Sequence, residues 1–233
     1  MITSAREPIG VSGLLPENET KPTEGHIRVH HTSPGDSDFT YWLDQRHKYM
    51  QKMGWNLESE YDHYDDDPAT KSILISDDKD KLIVGMRLTP INGYQSSLSW
   101  DMLKTAPHMQ QEVVDSGSLD TESPVWDLTK LIQGDTRFSP ELSQEAIGRL
   151  FGEGLQDSRV AGLDEPTWVF AITKPLFRLL SANGMHLRAL SEGRISPDDR
   201  TESVFGYVRT IEDLRKSARS SIARTTIGVL SDV

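Results

Sequence analysis

The sequence predicts one mixed α/β (α+β) domain, a mostly antiparallel sheet flanked by helices. Three observations carry that prediction. First, two short apolar runs, Ser72–Ser76 and Lys81–Leu88, are separated by Asp77-Asp78-Lys79-Asp80, as in two strands joined by a polar turn. Second, residues 140–158 place Leu142, Ala146, Ile147, Leu150, Phe151 and Leu155 on one stripe, the period of a helix lying on a core. Third, strand-like and helix-like stretches alternate after that helix, which favours layers around a sheet. A length of 233 residues suits one domain, or one domain with tails.

Residues 1–25 contain Pro8, Pro16 and Pro22 among Gly, Glu and Ser and read as a loose arm, leaving residues 26–233 as the domain. Ile27–His30 reads as a first strand. Asp36–Met53 reads as a helix, with an Asp or Ser cap and apolar Phe39, Trp42, Leu43, Tyr49 and Met50. Glu58–Asp67 is an acidic loop closed by Pro68. Beyond the strand pair, Trp100–Lys104 reads as a short helix and Val125–Leu131 as a strand. Thr167–Thr173 is a strand leading into a helix over Lys174–Ala182, ended by Asn183-Gly184. Strands near His186–Ser191 and Ser203–Arg209 come next, then a closing helix over Ile211–Ile222.

Composition excludes several kinds of chemistry. There is no cysteine, so disulfides, thiolate catalysis and cysteine-ligated metals drop out. No stretch approaches the roughly 18 apolar residues of a membrane helix. Met1–Arg6 lacks a signal-peptide core, and a cytoplasmic protein is the expectation. A net charge of −11 argues against nucleic acid as a partner. His26 and His30 are four apart, but no glutamate–histidine signature accompanies them, and no metal or cofactor is expected. Arg149-Leu150-Phe151-Gly152-Glu153-Gly154 matches the Arg-x-x-Gly-x-Gly pyrophosphate loop. It falls inside a helical stripe rather than directly after a strand, so it reads as chance or as close helix packing.

The chemistry concentrates elsewhere. Trp55 is followed by Glu60-Tyr61-Asp62-His63-Tyr64-Asp65, and Gly85-Met86-Arg87 comes about twenty residues later. An aromatic face attracts a cation, two carboxylates three apart can hold an amine, and arginine grips a carboxylate with two donors. Such a set suits a small zwitterion. The bland alternatives are a solvated acidic face, a half-buried tryptophan and a strand arginine that needs a carboxylate partner such as Asp62, Asp65 or Asp127.

In order, these blocks resemble the acyl-homoserine lactone synthases. The family's first block is Arg, Gly-Trp, then Glu-x-Asp-x-x-Asp, here Arg46, Gly54-Trp55 and Glu60 to Asp65. Its second block maps onto Gly85-Met86-Arg87. Its third, Trp-Glu-x-Ser-Arg, appears as Trp126-Asp127-Leu128-Thr129-Lys130, with each polar residue replaced by a relative. Pro175–Leu180 followed by Ala182-Asn183-Gly184 is also similar. The likeness runs from about Ile27 to Arg209.

The resemblance implies the fold of the GCN5-related N-acetyltransferases, with the Val125 and Thr167 strands splayed to admit an acyl donor. It implies S-adenosylmethionine as a substrate, bound by Arg46, Trp55 and Lys130. Asp62, Asp65 or Asp127 would accept the amine proton, and Arg87 with Lys130 would orient the carboxylate. Arg46 has a second reading, as a brace for the acidic loop. Trp100, Phe170 and Leu176 would wall the acyl pocket, and Phe170 at that wall predicts a chain without a 3-oxo group, or an aromatic or branched one. Lys174 and Arg178 would dock acyl carrier protein as donor, with acyl-CoA the other option. A bulge is expected near Asp127 and Lys130, which otherwise face opposite sides of a strand. The Asp127 and Lys130 departures leave open an N-acyltransferase acting on another amine. A non-catalytic homologue that binds S-adenosylmethionine or an acyl carrier is the third reading.

Overall fold

A computed structural model describes residues 26–52, 62–104, 106–134, 138–160, 167–182, 185–195, 202–209 and 225. The predicted arm, Trp55, Asn183-Gly184 and the closing helix lie outside the described residues.

Among the described residues, seven strands form one sheet: β1 (Arg28–Thr32), β2 (Lys71–Ser76), β3 (Leu82–Asn92), β4 (Pro124–Gln133), β5 (Thr167–Thr173), β6 (Arg188–Ile195) and β7 (Glu202–Arg209). They lie in the order β1-β2-β3-β4-β5-β7-β6. Every neighbouring pair is antiparallel except β4 and β5. The helices are α1 (Phe39–Lys52), α2 (Leu98–Asp101), α3 (Pro107–Asp115), α4 (Pro140–Val160) and α5 (Lys174–Ala182).

Strand alternation sorts the layers. Met86, Leu88, Trp126, Leu128, Trp168 and Phe170 point to one face and pack with Leu142, Ala146, Leu150, Phe151 and Leu155 of α4 and Leu180 of α5. On the other face Trp42 and Phe39 of α1 cover Leu74 and Ile132. There too, Met109 and Val113 of α3 cover Val125, Val169, Phe205 and Tyr207. The α3 helix was not legible as such, because its stripe is only two buried residues, Met109 and Val113. Its start obeys the rule for proline in a first turn. The short helix expected from Trp100 begins two residues earlier, at Leu98, capped by Ser97.

Two irregularities mark β4. Arg87 pairs with Thr129, but Gly85 pairs with Ile132, so Met86 faces both Lys130 and Leu131. This is a β-bulge, and Lys130 carries it with φ of 53°. That backbone is costly for a residue with a Cβ, on the order of 1–3 kcal/mol. Second, β4 and β5 pair only over Trp126–Leu128 and Trp168–Phe170. Past that point β4 stays with β3, and β5 stays with β7, so the two parallel strands part company.

Candidate active site

The described part of the acidic loop, from Asp62, forms a 3₁₀ turn, His63–Asp66, closed by a reciprocal cap. Asp62 accepts from the Tyr64 amide, and Asp65 accepts from the Asp62 amide. The spacing of three brings both carboxylates over β3. From above, α1 supplies Arg46. Gly85 permits its approach, since a Cβ there would sit 2.8 Å from the Trp42 ring, and Arg46 is one helical turn from Trp42.

Five charged side chains meet at this turn. Arg46 grips Asp65 with two hydrogen bonds of 2.8 Å. Arg87 Nη1 donates to both Asp65 Oδ1 and Asp62 Oδ1 at 2.7 Å. Its Nε donates to Thr129 Oγ1 at 3.0 Å. Arg46, Arg87 and Asp65 are wholly buried. The bulge turns Lys130 to the same side, with Nζ 3.3 Å from Asp62 Oδ2. That contact is an ion pair by distance, but it is not directed as a hydrogen bond, and Asp62 Oδ2 has no hydrogen-bond partner among the described residues. Arg87 Nη2 and Arg46 Nε are likewise buried without one.

The electrostatics separate these groups. Burial raises the Asp62 pKa, but the hydrogen bond and charge of Arg87, with Lys130 and Arg46 behind, outweigh it and hold the group at about 2. Burial pushes the Lys130 ammonium below its ordinary value, opposed by Asp62 and reinforced by Arg46 and Arg87. Arg87 is pulled down by burial but raised more by Asp62 and Asp65.

Asp127 is engaged differently. Its carboxylate accepts from the amides of Leu98 (2.7 Å) and Ser99 (3.3 Å) and from the Ser99 hydroxyl. It anchors the first turn of α2 to β4. Complete burial raises its pKa to about 6 despite those bonds.

An apolar cavity of about 170 Å³ lies where β3 and the end of β4 meet α4 and α5. Ile83, Val84, Leu131, Ile132, Ile147, Leu176 and Leu180 line it, with Tyr49, Gln133, Ser143 and Leu179. Of the three side chains expected to wall an acyl pocket, Leu176 is there. Trp100 lies on the opposite face of the sheet, packed edge-on to Tyr94 and Phe205. Phe170 fills the core against Phe177 and beside Gly206. Of the expected docking pair, Lys174 is bonded to Glu202 at 2.7 Å, and Arg178 is on α5.

Sequence reasoning missed Thr129 and Ser99 as site residues. Thr129 stands in the third block at the family's Ser, but its bond to Arg87 shows only in the register of β3 and β4. Ser99 had no signal before α2 was placed against β4.

No protein-family model and no curated protein sequence matches the chain. Solved structures match it in fold. One is the acyl-homoserine lactone synthase LasI, at TM-score 0.55 and 15% identity, covering 81% of this chain and 94% of that one. A second is the CoA-dependent synthase BjaI with S-adenosylmethionine and isopentyl-CoA, at 0.57 and 13%, covering 87% and 100%. A third is FeeM, an N-acyl amino acid synthase from uncultured soil microbes, at 0.58 and 10%, covering 85% and 98%. The likeness is one of fold: this chain has the architecture of acyl-homoserine lactone synthases and acyl-CoA N-acyltransferases.

Proposed function

We propose that the protein is an N-acyltransferase that acylates the amine of S-adenosylmethionine and then lets the product close to an acyl-homoserine lactone. The observation that carries this reading is a pair of buried polar atoms of opposite charge at one turn, each without a hydrogen bond. Asp62 Oδ2 lacks a hydrogen-bond donor, and Arg87 Nη2 lacks an acceptor, among the described residues. Buried polar groups left this way are costly. An α-amino acid supplies what both need, an ammonium for Asp62 and a carboxylate for Arg87. The structures of the same fold solved with S-adenosylmethionine or its product support the choice of amino acid.

The acyl chain would occupy the apolar cavity, and the thioester would lie at the bulge, where Lys130 faces the charged turn and Leu131 faces the cavity. The amine attacks the thioester carbonyl, the carbon–nitrogen bond forms, and the thiol leaves. The substrate's own carboxylate then displaces methylthioadenosine and closes the ring. The protein's work is positioning, which is worth several powers of ten. Arg46 and Asp65 hold the turn, and Asp127 holds α2. The donor is an acyl thioester, on acyl carrier protein or coenzyme A.

A second reading keeps the amino-acid site without the lactone. FeeM is an N-acyl amino acid synthase of the same fold, and the two atoms without a hydrogen bond suit any α-amino acid. One experiment separates the two. Purified protein is given S-adenosylmethionine, or the common amino acids, with acyl-CoA and acyl carrier donors. Mass spectrometry that finds the homoserine lactone fragment together with methylthioadenosine is the expected result. Acylated amino acids without methylthioadenosine would establish the second reading. No product with any pair would leave a binding protein and overturn both.

A further inference from the structure

The charged turn raises a problem of proton transfer. An amine attacks only as the free base, yet its ammonium is the form drawn to Asp62. Each nearby carboxylate is unsuited to take the proton. Asp62 is held ionised at about 2, which makes it an anchor and a very weak base. Both oxygens of Asp65 are gripped by arginine. Asp127 is occupied by the first turn of α2.

We propose that Lys130, turned into the site by the bulge, is the base that takes the substrate amine's proton; this rests on the function proposed above. Its Nζ lies 3.3 Å from Asp62 Oδ2, the oxygen to which the substrate ammonium would be drawn. Substrate and Lys130 would therefore share one carboxylate, with Arg87 bonded to its other oxygen. Among the described residues, the charged groups that act most on Lys130 are Asp62 of the turn, Arg46 of α1 and Arg87 of β3. Two ammonium ions beside two guanidinium ions around so little negative charge repel, and loss of one proton relieves the crowding. Burial and those arginines already lower the Lys130 pKa. The left-handed backbone at Lys130 points the same way: a costly conformation is kept where it aims a side chain at a site. Lysine at this place can lose a proton, whereas an arginine would stay charged.

The step balances. Neutral Lys130 Nζ takes one proton from the substrate ammonium, leaving the free amine, and later releases it to solvent. The amine lone pair forms the bond to the thioester carbon. As the carbon–sulfur bond breaks, the second amine proton passes to the leaving thiolate, giving an amide and a thiol.

The test compares wild type with Lys130→Arg and Lys130→Ala, using S-adenosylmethionine and the active acyl thioester. Lys130→Arg keeps the charge, so calorimetry should show S-adenosylmethionine binding within a few fold of wild type. Its kcat should fall by about 10²–10⁴, the usual worth of a positioned base. Wild-type kcat should rise with pH through the Lys130 pKa, and this limb should vanish in Lys130→Arg. Added methylamine should restore part of the Lys130→Ala rate. A Lys130→Arg enzyme with wild-type kcat and the same limb overturns the role of Lys130 alone. A wild-type protein that binds no S-adenosylmethionine and forms no amide overturns the underlying reading, and Lys130 with it.

Discussion

Asp62 and Asp65 sit at the two ends of one 3₁₀ turn and meet opposite fates. Asp65 is buried and saturated by Arg46 and Arg87. Asp62 shares Arg87, keeps one oxygen without a hydrogen bond and remains partly reachable. Equal chemistry at a spacing of three has split into a brace and, on the function proposed above, a receptor. What separates them is which side of the turn faces α1. The helix delivers a complete arginine fork to Asp65, while Asp62 meets one nitrogen of Arg87 and the end of Lys130. A fully paired buried ion is scaffold, because removing its partner strands a charge. A half-paired one at an opening is where a ligand gains most.

The severest test of this contrast is Asp65→Ala. It strands Arg46 and part of Arg87 in the interior and should cost about 3–5 kcal/mol. Thermal unfolding should shift down by roughly 10 °C for a chain of this size. A shift of a degree or two would show that Asp65 is no brace.

A third carboxylate extends the contrast. Asp127 is saturated too, by amides and a hydroxyl instead of guanidinium groups, and its pKa rises to about 6. The native state therefore holds its proton to higher pH than the unfolded chain, so stability falls as pH rises from about 4 to about 6. Asp127→Asn should remove that slope, a relative gain on the order of 2–3 kcal/mol at pH 7. Urea unfolding at pH 4 and pH 7 checks it, and parallel slopes in the two proteins would refute it.

Asp62→Asn should lower the melting temperature less than Asp65→Ala does, because the asparagine oxygen can still accept from the Tyr64 amide, and it should weaken S-adenosylmethionine binding. A charged hydrogen bond lost from a buried site is worth about 1.5–3 kcal/mol, roughly 10–100-fold in affinity by calorimetry. Asp62 also bears on acid stability. With its pKa depressed to about 2, its contribution is present above the unfolded value of about 4 and is lost as pH falls from there to about 2. The Asn variant should lack that step.

The smallest effect belongs to the apolar end. Ile147→Phe narrows the cavity and should move products to shorter acyl chains. Each methylene excluded is worth about 0.8 kcal/mol, or roughly fourfold in selectivity. Product masses read it directly, and an unchanged distribution would place the acyl chain elsewhere.

Much of the fold was legible because it depends on local periodicity. The Ser72–Leu88 pair, the α4 stripe and the Thr167 strand with the helix after it all appear near their expected places. The α3 helix did not, since two buried residues in nine make a weak stripe. Within the site, residue types and spacing singled out Asp62, Asp65 and Arg87, which the turn and β3 bring together. They did not distinguish a brace from a receptor. Trp100 and Phe170 show the same limit: an apolar residue in a strand or short helix has a face only once the sheet has a register.

The strands, the long helix and an acidic block with two carboxylates three apart could be read from the chain alone, because each depends on neighbours a few residues away. Long-range packing settled the rest: Asp65 is closed and Asp62 open, a bulge brings Lys130 to Asp62, and Asp127 holds α2. Those outcomes rest on contacts between segments tens of residues apart. There, burial and the count of available hydrogen-bond partners set the role of a side chain more than its identity does.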